Sequence, residues 1–293
     1  MKHKLIITAC CLAIAGFVTP AKAQPGTNPY WKKGGSAALN LNQVSLSNWA
    51  AGGDNAIGFN AQVNYFIDYK KNKHLWSTNL NLEYGLNRTK SDGTKKSNDK
   101  IYLSSKYGYE LAKTLYFSAL VTFQTQFAKG YDYGVDPHTY ISDFMSPGYL
   151  LAGVGLTWTP RTWISATFTP AAWRGTFVTS DELSDAGQFG VDPGKHHRTE
   201  FGANLLIEAR YEFLKNMTIG TKAAFYSNYL DKPQNIDVNW DVQLSMQINK
   251  WFATTVTTSM IYDDDTKILQ NDGRKIAKLQ FKEALAVGVQ FVF

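Results

Sequence analysis

The fifteen residues from Leu279 to Phe293, LQFKEALAVGVQFVF, constrain the fold more than any other part of the chain. Phe281, Leu285, Val287, Val289, Phe291 and Phe293 share one parity, broken only by Glu283. Lys282, Ala284, Ala286, Gly288 and Gln290 share the other. A period of two belongs to a strand. One greasy face and one small or polar face fit a strand placed between lipid and a wet lumen. The expected fold class is all-β: a transmembrane antiparallel β-barrel of about 12 strands, each crossing in ~9–11 tilted residues.

The same alternation recurs along the chain. Phe59, Ala61, Val63, Tyr65, Ile67 and Tyr69 oppose Asn60, Gln62, Asn64 and Asp68. Leu80, Leu82, Tyr84 and Leu86 oppose Asn79, Asn81, Glu83 and Asn87. Val238, Trp240, Val242, Leu244 and Met246 oppose Asn239, Asp241, Gln243, Ser245 and Gln247. Connections alternate in length. Short turns are expected near Lys70–His74, Ala112–Lys113, Pro160–Arg161, Leu214–Asn216 and Asn249–Trp251. Longer polar loops are expected near Trp49–Ala56, Arg88–Asp99, Lys129–Pro147, Arg174–His197, Leu230–Ile236 and Asp263–Lys275. Short periplasmic turns and long outer loops are the pattern of a membrane barrel, with both termini on the periplasmic side. A soluble sandwich or lipocalin-like barrel would alternate as well, but would turn its apolar face inward. So many greasy faces exceed what one soluble core could hide. In the first strand Leu39 and Leu41 share a parity that Val44 and Leu46 do not, so a bulge is expected near Gln43.

The amino end carries Lys2 and Lys4, an apolar run from Leu5 to Val18, and Ala21-Lys22-Ala23 before Gln24. This reads as a secretory signal peptide cleaved after Ala23. Residues 24–35 are expected to form a periplasmic lead-in and residues 36–293 the barrel, in the cell outer membrane. Cys10 and Cys11, the 2 cysteines of the chain, lie inside the leader. The mature chain therefore offers no thiol chemistry, disulfide or cysteine metal site. Removing Lys2, Lys4 and Lys22 leaves 27 basic residues against 24 acidic ones, a net +3. That is too mild to favour nucleic acid. No cofactor and no metal are expected.

The stretch Leu41-Asn42-Gln43-Val44-Ser45-Leu46-Ser47-Asn48-Trp49-Ala50-Ala51-Gly52-Gly53 resembles the opening motif of an uncharacterised family of outer-membrane barrels that carries only a domain-of-unknown-function label. Phe144–Tyr149, Phe225–Leu230 and Ile261–Asp265 are similar to later stretches of that family. The resemblance implies the barrel and brings no reaction, ligand or site residue.

Candidate site residues come from the lumen parity. Glu83, Lys106, Glu110, Glu208, Arg210, Glu212, Lys222 and Asp241 are expected to point inward. A three-residue turn at Leu214–Asn216 would set Glu208 opposite Lys222 as a cross-strand ion pair. Such charges either fill a small lumen by satisfying one another or line a path for a solute. A twelve-strand barrel lies between ~8-strand barrels, filled by side chains, and ~16-strand porins with an aqueous channel. Asp263-Asp264-Asp265, with Asp231 and Asp237, offers carboxylates to a hard cation or a bridge to lipopolysaccharide, or forms a solvated loop edge. Lys90, Lys95, Lys96, Lys100, Arg174, Lys195 and Arg198 suggest a basic outer rim suited to lipopolysaccharide phosphates. Trp158, Trp163, Trp240 and Trp251 are expected in aromatic girdles at strand ends. His196-His197 near Asp181, Glu182, Asp185 and Asp192 is the one place where a His–acid pair could activate water.

These residues point first to a passive or facilitated channel for small polar solutes. The second expectation is a non-conducting surface barrel whose outer loops bind lipopolysaccharide or a partner. The third is an outer-membrane hydrolase. The terminal Phe293 is expected to engage the barrel-assembly machinery.

Overall fold

The computed structural model describes residues 28–44, 55–89, 93–133, 137–264, 267–269 and 274–293. The leader, most of the Leu41–Gly53 motif and Asp265 lie outside the described residues. Twelve strands close into an antiparallel barrel: β1 (Trp31–Val44), β2 (Ala56–Lys71), β3 (His74–Thr89), β4 (Gly93–Ala112), β5 (Leu115–Thr125), β8 (Gly148–Arg161), β9 (Ile164–Phe177), β10 (His197–Leu214), β11 (Met217–Asn228), β12 (Ile236–Gln247), β13 (Phe252–Tyr262) and β16 (Gln280–Val292). Each pairs with its neighbour along the chain, and β1 meets β16 to close the ring. Two small hairpins stand outside the ring. β6 (Gly130–Asp132) pairs with β7 (Thr139–Ser142), and β14 (Lys267–Leu269) pairs with β15 (Lys275–Ala277).

Alternation decides which way each side chain faces. Ile57, Phe117, Val121, Leu156, Phe168, Phe201, Ile219 and Leu285 stand exposed on the outer wall. A soluble protein does not present so continuous an apolar band, so this surface faces lipid. At the short-turn end the band finishes in aromatic rings. Trp163 packs on Tyr211 with centroids 5.3 Å apart, Trp31 on Tyr69 at 4.8 Å and Trp251 on Phe291 at 5.7 Å. Trp158, Trp163 and Trp251 thus sit in the expected girdle. Trp240 stands exposed on the outer wall, toward the long-loop end of β12, and donates its indole N–H to Thr221 Oγ1 at 2.8 Å.

The turns fall where the sequence places them. β2–β3 and β10–β11 are joined through Asn72 and Asn216, both at positive φ, which asparagine tolerates. Leu214 pairs with Met217, and a register shift between Glu212 and Leu214 restores Glu208 opposite Lys222. Pro170 occupies the interior of β9 without breaking it, because the ladders to β8 and β10 both shift register there.

Three features differ from expectation. β1 begins at Trp31, inside the stretch read as a lead-in. Its ladder with β2 runs unbroken from Trp31–Tyr69 to Val44–Ala56, so there is no bulge at Gln43. Instead the pairing with β16 covers only Ser36–Val292 to Asn40–Gly288, and the parity change marks the stretch where β1 has parted from β16. Finally, Arg88–Asp99 is not a loop. Thr89 pairs with Gly93, and the β3–β4 ladder runs through these polar residues with one register shift.

Two of the outer connections fold on each other. The helix α1 (Asp181–Asp185) follows β9, and Val178, Leu183 and Val191 form a buried cluster against Tyr140 of β7 and Phe189. Burial in this cap pushes the Tyr140 phenol above its ordinary pKa.

Candidate functional site: the barrel lumen

The inner face of β4 is the hub of the lumen. Lys100 Nζ reaches Asp241 on β12 at 3.1 Å. Lys106 Nζ reaches Glu208 on β10 at 3.3 Å and Thr167 Oγ1 on β9 at 3.3 Å. The Lys222 ammonium of β11 sits 3.1 Å from the centroid of the Tyr102 ring. Lys282 on β16 donates to Asn98 Oδ1 at 2.9 Å. Asp241 is held further by Ser259 Oγ at 2.6 Å.

These contacts fix the cross-section. In the ring of twelve, β4 and β12 are six places apart, on opposite walls. Strands spaced ~4.8 Å and tilted ~40° would enclose a round barrel of about 24 Å backbone diameter. A lysine and an aspartate joined by one ion pair span at most ~13 Å between Cα atoms. The barrel is therefore flattened, with β4 drawn toward β10–β12.

Flattening divides the lumen into unequal halves. On β4, β5, β8, β9, β10 and β11 the inward face holds the fully buried side chains of the lumen, among partly buried charged ones. Thr167 and Thr169 are 0% exposed, Ser118 and Leu120 1%, Thr157 2% and Leu206 3%. Thr157 and Thr167 exchange a hydrogen bond at 2.9 Å, and Thr169 donates to the Asn204 carbonyl at 2.9 Å. On β1, β2, β3, β12, β13 and β16 the described buried positions are four glycines (Gly34, Gly58, Gly85 and Gly288) and Ala253. The larger inward side chains there, including Asn60, Gln62, Asn64 and Asn81, stay partly open to water-sized space.

The outer mouth of the packed half carries a second charge cluster. Arg174 forks onto Glu200 at 2.6 and 2.8 Å and reaches Asp237 at 2.6 Å. Its guanidinium lies 4.0 Å from the Tyr226 ring centroid. Arg198 and Asn228 also donate to Glu200, which is 2% exposed. Just above lies a polar pocket of about 540 Å³, lined by Asp192, Arg198, Glu200, Asn228, Lys232 and Asp264 among others.

Of the residues expected to line the lumen, Lys106, Glu208, Lys222 and Asp241 come together around β4. Glu83 lies in the open half, accepting from Asn98 Nδ2 at 2.7 Å and Gln62 Nε2 at 3.4 Å. Glu110, Arg210 and Glu212 sit at the short-turn mouth, away from this network, and Glu212 accepts the Asn216 backbone N–H at 3.1 Å. Glu208 and Lys222 are register partners as expected. Their strongest contacts nevertheless run across the lumen, to Lys106 and Tyr102, because flattening brings the far wall within reach.

Sequence reasoning missed Tyr102 and Glu200, placed Lys100 and Arg174 in the outer rim and Asp237 in an acidic loop, and put Lys282 on the lumen parity without a partner. The expected basic rim is partly consumed inside. Lys96 bonds Asp99 at 2.8 Å and the Ala128 carbonyl at 2.7 Å, Lys100 enters the lumen, and Arg174 caps it. Of the described acidic residues, Asp237 turns inward to Arg174, while Asp264 accepts from Asn235 at 2.6 Å and lines the polar pocket with Asp231. Among the described residues no group of three or more His, Cys, Asp or Glu is placed to hold a metal. His196 Nδ1 meets the Val178 carbonyl at 2.8 Å, with Asp181 at 3.5 Å from Nε2, so the ring pins the cap to β10.

Comparison with solved structures returns membrane barrels at low identity. The translocator domain of autotransporter NalP from Neisseria meningitidis is 9% identical, with a TM-score of 0.37, covering 99% of this chain and 96% of that one. The COG4313 outer membrane channel from Pseudomonas putida F1 is 10% identical, with a TM-score of 0.40, covering 94% and 100%. The barrel assignment rests on the closed strand pairing and not on these likenesses. No curated protein matches the chain. Residues 41–131, less than half of the 293, match the model of the family described as "Protein of unknown function (DUF3078)".

Proposed function

We propose that the chain is a passive outer-membrane channel for small polar solutes, with its path set off-centre against β1, β2, β3 and β16. The observation that carries this reading is the unequal burial of the two inner walls, solid on one side and water-accessible on the other. On this reading the charges around β4 are the inner partition of the path. They satisfy one another, hold the walls together and keep the packed half closed. Lipids and lipopolysaccharide surround the barrel, and Phe293 presents the end of β16 to the assembly machinery. Purified, refolded protein in planar bilayers should give small, uniform conductance steps. A folded, heat-modifiable barrel that stays silent over long recordings would remove the channel.

One observation favours a second reading, a non-conducting barrel that binds a partner at the cell surface. The outer loops have their own buried cluster and stand beside the 540 Å³ polar pocket. Loss of surface binding on unfolding the cap, with conductance absent throughout, would select it.

A further inference from the structure

We infer that the open half of the lumen is built to pass uncharged polyhydroxyl solutes, sugars and polyols, in preference to ions. This rests on the channel reading and names its substrate class.

The wall of that half is made of carboxamides. Asn81 Nδ2 donates to Asn64 Oδ1 at 2.7 Å, and Asn98 Nδ2 lies 3.5 Å from Asn60 Oδ1. Each carboxamide has two donors and an acceptor with two lone pairs, and these contacts use only part of that capacity. These carboxamides are only partly buried. A hydroxyl is likewise both donor and acceptor, so a polyol can trade its water contacts for wall contacts one at a time. An ion gains less from such a wall. It would shed hydration against neutral dipoles with no net opposite charge to compensate it.

The charges of this half are arranged to cancel. Glu83 and Lys282 meet through one side chain: Asn98 donates to Glu83 at 2.7 Å and accepts from Lys282 at 2.9 Å. Nearer the periplasmic mouth, Lys32 and Asp68 are cross-strand neighbours, and Asp68 also accepts from Ser77 at 2.6 Å. These two levels of the path thus each hold one acid and one base, with the neutral Asn64–Asn81 pair between them. At the border with the packed half, Lys100 is matched by Asp241. The inward Phe66 ring, packed beside Gly34 with the Lys32 ammonium 5.9 Å from its centroid, adds an apolar surface that suits the C–H face of a sugar.

The test compares solutes of one size and three charges. Proteoliposomes holding the refolded protein are challenged with glucose, glucuronate and glucosamine, and swelling is followed by light scattering. Glucose should enter at least about tenfold faster than either charged analogue. Asn64→Leu, which removes one donor–acceptor pair from the wall, should slow glucose several-fold and narrow its lead over the two charged analogues. Asn60→Leu serves the same purpose if that variant fails to insert. Equal entry of the three solutes, or faster entry of a charged one, overturns the sorting and leaves the channel standing. No swelling with any solute and no conductance removes the channel and this inference together.

Discussion

Lys100→Met is the most informative single perturbation of the lumen. It keeps the aliphatic stem and deletes the ammonium that ties β4 to Asp241 on the opposite wall, at 3.1 Å. Both side chains are about three-quarters buried, at 26% and 27% exposure, so the pair is worth more than a surface contact. A charged hydrogen bond of this kind contributes about 1.5–3 kcal/mol. At 1.4 kcal/mol per factor of ten, its loss shifts the balance between flattened and rounder barrels by about 10–100-fold. Asp241 keeps its Ser259 contact at 2.6 Å, so the protein should still fold. The readouts are single-channel conductance and a spin-label distance between the outer ends of β4 and β12. Conductance should rise and the distance should lengthen and broaden. The exchanged pair, Lys100→Asp with Asp241→Lys, should restore both. An unchanged distance in Lys100→Met would refute the claim that this ion pair holds the walls together.

Three other outcomes follow from the same geometry. Arg174→Ala strands Glu200 and Asp237 at the outer mouth; breaking a buried pair costs about 3–5 kcal/mol, so the folded band should be lost at a lower temperature on heat-modifiability gels. Gly202→Val should sharply reduce folded yield, since a Cβ there would strike the Ser227 carbonyl. Removing Phe293 deletes the two backbone bonds it makes with Gly35, at 2.8 and 3.0 Å, from a closure of only five residue pairs. Membrane levels should fall, and normal levels with normal heat-modifiability would count against its role.

The barrel was legible in the sequence because lipid and lumen impose a strict period of two, and few other folds sustain it through so many segments. The parity of Lys106, Glu208, Lys222 and Asp241 was legible for the same reason, as was the Glu208–Lys222 register. What spacing cannot encode is contact across a lumen. Lys100 and Asp241 are 141 positions apart and meet only because the barrel is flattened. Lys96 and Lys100 were hidden for a different reason. The polar stretch Arg88–Asp99 looks like a loop, yet strands that run past the membrane no longer need an apolar face. Arg174 falls in the expected loop Arg174–His197 on the same ground, and Glu200 lies just beyond it. Counting back from Asn204 by the parity of β10 turns Glu200 inward, whereas the register shift at Pro170 flips the parity of β9 before Arg174, so counting on from Thr167 and Thr169 would turn Arg174 outward. The five-residue helix α1 is too short for any periodicity to betray it.

The central claim, a lumen packed on one side and open on the other, can be tested by single-cysteine accessibility, since Cys10 and Cys11 are the 2 cysteines of the chain and both precede the barrel strands. Cysteines placed at Asn60, Asn64 and Asn81 should react rapidly with a charged, membrane-impermeant thiol reagent. Cysteines at Ser118, Thr157 and Thr167 should stay protected in the same folded barrel. Equal labelling of the two sets would contradict the account.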